Sequence, residues 1–224
     1  VKLKSTGKGV HGAQFIIGPE GEKLGVYKAE EEKGRVDFIR QKGVFLSKGV
    51  KDPLMVGEMA SHVVAEALGF VDIVPSTTVE TQGDGRSGSL QAFVGGFELG
   101  PTVAKTRLAS AETPTIREQT IFQRMACLDF ILGNTDRHSE NWMARRDAEG
   151  HISDIRLIDN GPSFPRQHVL QGTKGDSIRT TVVHNQYNWA TLGAAESGFT
   201  DEMKRFIGEL DEGKLNDAFQ AIEA

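Results

Sequence analysis

The chain has 224 residues, 38% of them hydrophobic and 25% charged, which is enough apolar material for one compact domain or two small lobes sharing a cleft. Lys plus Arg number 26 against 31 Asp plus Glu; a net charge of -5 excludes a protein that mainly wraps nucleic acid or coats an anionic membrane by charge alone. The single cysteine, Cys127, excludes a disulfide framework and a multi-cysteine zinc site, and no apolar run is long enough to span a bilayer.

The first half reads mainly as strands. Gln14 to Ile17, the turn signal Gly18-Pro19-Glu20-Gly21 and Leu24 to Lys28 predict a β-hairpin. Residues 35–51 are polar and irregular. From Leu54 the apolar positions Val56, Met59, Ala60, Val63, Val64, Ala67 and Leu68 recur at helical spacing, and Gly69 follows as a stop signal. Asp72 to Glu80 and Ser89 to Val94 predict two further strands, and Gly95-Gly96 a hinge-like break. Thr115-x-x-Glu118 is a capping box before an apolar run through Phe122, Met125, Leu128 and Leu132, closed by Gly133-Asn134. Trp142-Met143 and Ile155 to Ile158 predict short strands around a polar turn. Residues 166–188 read as a polar loop, and Thr200 or Asp201 caps a final amphipathic helix or pair of helices.

Five segments carry chemistry. Gly7-Lys8-Gly9-Val10-His11-Gly12 satisfies G-x-G-x-x-G, a weak pattern in a chain with 26 glycines. A hairpin follows it rather than a helix, which disfavours a dinucleotide fingerprint and fits a loop whose bare backbone approaches nucleotide phosphates. That arrangement requires a strand lysine, and Lys28 stands at a suitable distance. A carboxylate on the next helix must hold it; Glu58, placed in the first turn of a helix over 57–68, is favoured over Glu66. The alternative reading of Glu58, His62 and Glu66 is one solvated stripe at four-residue spacing. In 133–142, Asp136 and Asn141 form Asp-x-x-x-x-Asn, and Asp159-Asn160-Gly161 follows a predicted strand. Phosphoryl transfer needs a carboxylate to orient the attacking hydroxyl, plus an amide oxygen and a second carboxylate for metal ions. Asp136, Asn141 and Asp159 are those types in that order.

On these segments the chain resembles the phosphatidylinositol 3-/4-kinase superfamily, nearest to type II phosphatidylinositol 4-kinases and bacterial relatives. Gly25 to Glu30 resembles that family's lysine strand, Gly57 to Gly69 its helix, and Val74 to Thr77 the strand after it. Gly88 to Val94 resembles its hinge strand; Asn134 to Trp142 and Ile158 to Pro165 resemble its catalytic and metal-binding segments. The resemblance runs from about Gly7 to Pro165. It implies an α+β, two-lobed protein-kinase-like fold: a strand-rich N-lobe with one helix over 1–95 and a mainly helical C-lobe over 96–224. It implies ATP as cofactor, with adenine near Phe93, Val94 and Gly95 and held mainly by backbone groups, and Mg²⁺, with Mn²⁺ as the alternative, on Asn141 and Asp159. Asp136 is implied as the base or hydroxyl-orienting residue. Arg137 is grouped with the catalytic residues, steadying the loop or the phosphates, with Asp129 or Glu140 as alternative partners.

The expected function is transfer of the γ-phosphate of ATP to an alcohol, either a protein Ser/Thr or a phosphoinositide, with no nucleic-acid partner. A pseudokinase binding module and AMP transfer in the same pocket are the alternatives. The negative charge and the lack of the type II family's cysteine-rich insertion tilt the acceptor toward protein. Arg166, His168, Lys174 and Arg179 give a modest positive scatter that suits an acidic acceptor or a solvated loop equally. A cytoplasmic location, or delivery to a host cytoplasm for a bacterial effector, is the accompanying expectation.

Overall fold

The computed structural model describes residues 2–6, 13–30, 52–70, 72–81, 85–103, 113–134, 136–164 and 197–222. The architecture is α+β, with an antiparallel sheet N-terminal and most of the helical residues C-terminal. Five strands form the first sheet: β1 (Lys2–Ser5), β2 (Gln14–Ile17), β3 (Lys23–Ala29), β4 (Thr77–Thr81) and β5 (Ser87–Ala92), in the order β1-β2-β3-β5-β4. The hairpin predicted around Gly18–Gly21 is β2–β3, and Gly21 takes the positive φ that its turn needs. β1 has no counterpart in the sequence reading, because its side chains are all exposed and leave no apolar alternation to detect. It pairs with β2 as far as Ser5 opposite Gln14, and the Thr6 N–H donates to the Ala13 carbonyl at 3.1 Å. The strand predicted over 72–80 begins only at Thr77, since 72–74 form a turn ahead of Pro75.

The helix α1 (Pro53–Ala67) starts earlier than its apolar pattern predicts. The buried Asp52 carboxylate accepts from the Leu54 and Met55 N–H groups at 3.1 and 3.0 Å, and Pro53 occupies the first turn, where its missing N–H costs nothing. Glu58 therefore lies in the second turn rather than the first.

The C-terminal half holds more strand than its helical expectation. β6 (Glu98–Leu99), β7 (Trp142–Arg146) and β8 (Ile152–Leu157) form a three-stranded antiparallel sheet, with the short helix α2 (Gly100–Val103) following β6. The long helix α3 (Ile116–Leu132) carries the predicted capping box in full. Thr115 Oγ1 accepts from the Glu118 N–H, and a Glu118 carboxylate oxygen accepts from the Thr115 N–H at 2.9 Å. The other oxygen of Glu118 accepts from the Ile152 N–H at 3.0 Å, so the cap also fixes the start of β8. Gly133, at φ 61°, ends the helix. The tail is a pair of helices, α4 (Asp201–Glu209) and α5 (Glu212–Gln220), capped by Thr200 and Asp211.

One apolar cluster joins these parts. Val64, Ala65 and Leu68 of α1 meet Phe122, Met125, Leu128 and Leu132 of α3 and Trp142, Ile155 and Leu157 of β7–β8. Cys127 packs against this cluster, and burial pushes its thiol up to about 11, in keeping with a small core residue.

The contact that sets α1 against the C-terminal half involves two glycines. A Cβ on Gly57 would stand 2.1 Å from the Gly161 carbonyl oxygen, and one on Gly161 would press on Leu54. Helix propensity alone favours alanine at both Gly57 and Gly208 of α4. We expect Gly208→Ala, whose Cβ meets nothing, to gain up to about 1 kcal/mol. Gly57→Ala should instead lose about 1–3 kcal/mol, as overpacked sites do. Urea denaturation of the two variants checks the opposite signs.

Candidate active site

Side chains alternate across a strand, so Val26 and Lys28 of β3 share a face, and register adds Phe15, Gln91 and Thr77 to it. Gln91 is buried and donates to Thr77 Oγ1 at 3.1 Å, which fixes the middle of that face. Toward the hinge the Phe15 and Phe93 rings meet edge to face at 5.8 Å, and the Lys23 ammonium sits 4.2 Å from the first ring centroid and 5.1 Å from the second. Phe93, Val94 and Gly95 lie just beyond β5. The Phe93 N–H is committed to the Leu24 carbonyl at 3.1 Å. Phe15 escaped the sequence reading; the alternation of β2 against Lys28 was the signal that could have found it.

Lys28 is the centre of the arrangement. Its ammonium bonds to Glu58 Oε1 and, at 2.9 Å, to Asp159 Oδ1. The Glu58 side chain is only 4% exposed, whereas Glu66 is 61% exposed beside His62, so the stripe at four-residue spacing splits into one buried carboxylate and a solvated remainder. The second oxygen of Glu58 accepts from the Asn160 N–H at 3.0 Å. One carboxylate thus ties the strand lysine, α1 and the loop after β8 together. Burial by itself lowers the pKa of Lys28; Asp159 and Glu58 outweigh it and hold the ammonium well above the ordinary lysine value.

The segment between α3 and β7 is held by its own polar groups. The buried Asn134 accepts from the Asp136 N–H at 2.8 Å. The Asp136 carbonyl accepts from the His138 N–H at 2.9 Å and from Asn141 Nδ2 at 2.8 Å, and a single 3-10 turn over Ser139–Asn141 leads into β7. The bond from Nδ2 leaves the Asn141 oxygen as the acceptor for other partners. Asp159 takes a left-handed φ of 55°, which aspartate tolerates better than most residues, and presents its carboxylate at Lys28. Asn141 and Asp159 are both hard oxygen donors. Among the described residues no three His, Cys, Asp or Glu side chains gather as a metal cage.

The order of these residues has relatives among known proteins. A family model described as phosphatidylinositol 3- and 4-kinase matches residues 119–175, a span that contains Asp136, Asn141 and Asp159. Phosphatidylinositol 4-kinase type 2-beta of Gallus gallus is 29% identical over 143 residues, 54% of this chain and 27% of that protein. The type 2-alpha protein of Xenopus laevis is 31% identical over 103 residues, 40% of this chain and 20% of that one. Over these spans the chain is similar to the phosphatidylinositol 3-/4-kinase superfamily. It spans about a quarter of the length of the curated relatives it matches. The crystal structure of a Helicobacter pylori proinflammatory kinase, CtkA, is similar with a TM-score of 0.49 at 14% identity, over 99% of this chain and 79% of that chain.

Against this superfamily pattern two groups of expected residues stand apart. Gly7, Lys8, Gly9, Val10, His11 and Gly12 lie outside the described residues, as do Arg166, His168, Lys174 and Arg179. Arg137 needs correction. It is fully buried, and its Nε donates to both oxygens of the equally buried Asp129 at 3.0 and 3.1 Å. Nη1 donates to the Asn141 and Ile158 carbonyls, and Nη2 to Asn160 Oδ1. A guanidinium enclosed by protein acceptors is a scaffold, not a phosphate ligand, and of the two alternative partners it takes Asp129 rather than Glu140.

Breaking a buried pair strands a charge, so Arg137→Ala or Asp129→Ala should each cost about 3–5 kcal/mol in denaturant unfolding. A cation whose pKa is raised by folding stabilises fully below its unfolded value, about 10.4 for lysine, and that stabilisation is lost as pH rises through the folded value. The stability difference between wild type and Lys28→Met should therefore stay flat from about pH 7 to about pH 9 and shrink only above the unfolded pKa. A decline already beginning near neutrality in urea melts would contradict the raised lysine.

Proposed function

We propose that the chain is a phosphotransferase that moves the γ-phosphate of ATP to an alcohol hydroxyl. The observation that carries this reading is Lys28, held charged between a buried Glu58 and Asp159, with Asn160 next to Asp159 bonded to the Arg137 that also holds the Asn141 carbonyl. Phosphoryl transfer asks a protein chiefly for positioning and electrostatic stabilisation, and these residues supply both. The Lys28 ammonium stays protonated across the physiological range, as a ligand for anionic phosphate oxygens must. The apolar face of Phe15, Val26 and Phe93 beside it suits a purine ring.

In the step itself the acceptor oxygen bonds to the γ-phosphorus, the bond to the ADP oxygen breaks, and the hydroxyl proton passes to the Asp136 carboxylate. Bonds to the Asp136 backbone from Asn134, His138 and Asn141 hold that residue against the rest of the loop. The donor set fits magnesium, which takes oxygen ligands from one or two carboxylates and shares the rest with substrate phosphates and water. Asp159 and Asn141 would hold it, and its chemistry would be neutralisation of charge on the phosphate oxygens. The names of the curated relatives favour a phosphoinositide hydroxyl as acceptor over the protein side chain that net charge favoured.

The test is labelled ATP offered in parallel to phosphoinositide vesicles and to a protein mixture. We expect label in lipid. Label in protein alone would reassign the acceptor, and label in neither would remove the kinase reading. Asp136→Ala should lower turnover by about 10²-fold or more with ATP affinity nearly unchanged, since a base acts on the hydroxyl and not on the nucleotide. Asp159→Ala should instead weaken ATP binding in magnesium, measured by calorimetry with and without the ion.

A further inference from the structure

Asn160 stands between Asp159 and Gly161 and is fully buried. Every polar group it owns has a partner. Its N–H donates to Glu58 Oε2 at 3.0 Å, its carbonyl accepts from the Ser163 N–H at 3.1 Å, its Nδ2 donates to the Leu157 carbonyl at 3.0 Å, and its Oδ1 accepts from Arg137 Nη2. The backbone bond reaches α1 and through Glu58 the lysine strand. The bond from Arg137 reaches the Asp136–Asn141 loop, because the same guanidinium also holds the Asn141 carbonyl.

The neighbouring backbone explains why such a clamp is needed. Asp159 sits at φ 55°, and a non-glycine residue in that region persists only where its surroundings over-determine it. Gly161 on the other side is pressed against Leu54, so this short segment has packing on one flank and an uncommon conformation on the other. A side chain anchored at both amide atoms sets the peptide planes between them. An aliphatic residue could fill the space but would leave the Leu157 carbonyl and the Arg137 Nη2 donor buried without these bonds.

We propose that Asn160 is a positioning residue that keeps the Asp159 carboxylate aimed at Lys28 and locks the Lys28–Glu58 half of the site to the Asp136–Asn141 half. The proposal rests on the kinase reading for its effect on turnover, but its structural core does not. Groups that orient metal ligands from behind typically change metal affinity or activity by about 10–100-fold when removed.

The experiment compares wild type with Asn160→Ala, Asn160→Asp and Arg137→Lys by amide hydrogen exchange and by the magnesium dependence of turnover. Asn160→Ala should speed exchange at residues 158–161 by about tenfold or more. It should also raise the magnesium concentration for half-maximal rate about 10–100-fold. Arg137→Lys keeps the charge beside Asp129 but loses the Nη2 donor, and should shift both readouts the same way; it decides the matter if Asn160→Ala does not fold. Asn160→Asp keeps the acceptor for Arg137 but loses the donor to the Leu157 carbonyl, and should be impaired in both. Wild-type exchange and magnesium dependence in folded Asn160→Ala or in Arg137→Lys would overturn the proposal. If wild type itself turns over no ATP, the kinase reading fails and the exchange results alone decide this one.

Discussion

A carboxylate taken almost wholly out of water must find partners for both of its oxygens, and Glu58 finds them in two different halves of the chain. One oxygen takes the ammonium of Lys28 from the central strand of the first sheet; the other takes a backbone N–H from the loop that ends the second sheet. Neither bond forms unless α1 lies across both. That requirement explains the pair of glycines where α1 meets the loop: any side chain at Gly57 would lift the helix away from Gly161. The shape of the site follows from satisfying one buried charge.

The same reasoning extends outward from Arg137. Its guanidinium is enclosed by Asp129 at the end of α3, by two carbonyls flanking β7 and β8, and by Asn160. A buried ion pair contributes little net stability against an apolar replacement, but removing one partner is costly, so it fixes a unique arrangement more than it adds to the total. Here the arrangement fixed is the loop that carries Asp136. The candidate site residues are then borne by short segments whose backbones are tied at several points, which is how a loop reaches a precise geometry.

Much of the fold was readable because local physics and tertiary packing agree. The apolar spacing of α1 and α3, the Thr115–Glu118 capping box, the Gly133 stop and the Gly18–Gly21 turn each act within a few residues, and each appears as read. Where the reading missed, the signal lay elsewhere. β1 is exposed on every side chain and exists only through its pairing with β2. The start of α1 depends on Asp52, a residue ahead of the apolar pattern, and the 72–76 stretch turns before it becomes a strand. Phe15 looked like an ordinary strand residue until register placed it beside Lys28.

The sequence by itself determined the residue types and their order: a strand lysine, a helical glutamate, Asp136 with Asn141 five residues on, and Asp159 after an apolar strand. That order is fixed by the covalent chain and is visible without coordinates. Only the tertiary structure decided which carboxylate meets the lysine and what the arginine does. Glu58 and Glu66 lie on one stripe at four-residue spacing, and packing against the Gly161 loop buries one and leaves the other in water. Arg137 next to Asp136 looks like a phosphate ligand in one dimension. In three, its donors are spent on Asp129, Asn160 and two carbonyls, because a buried guanidinium must satisfy its N–H groups within the protein.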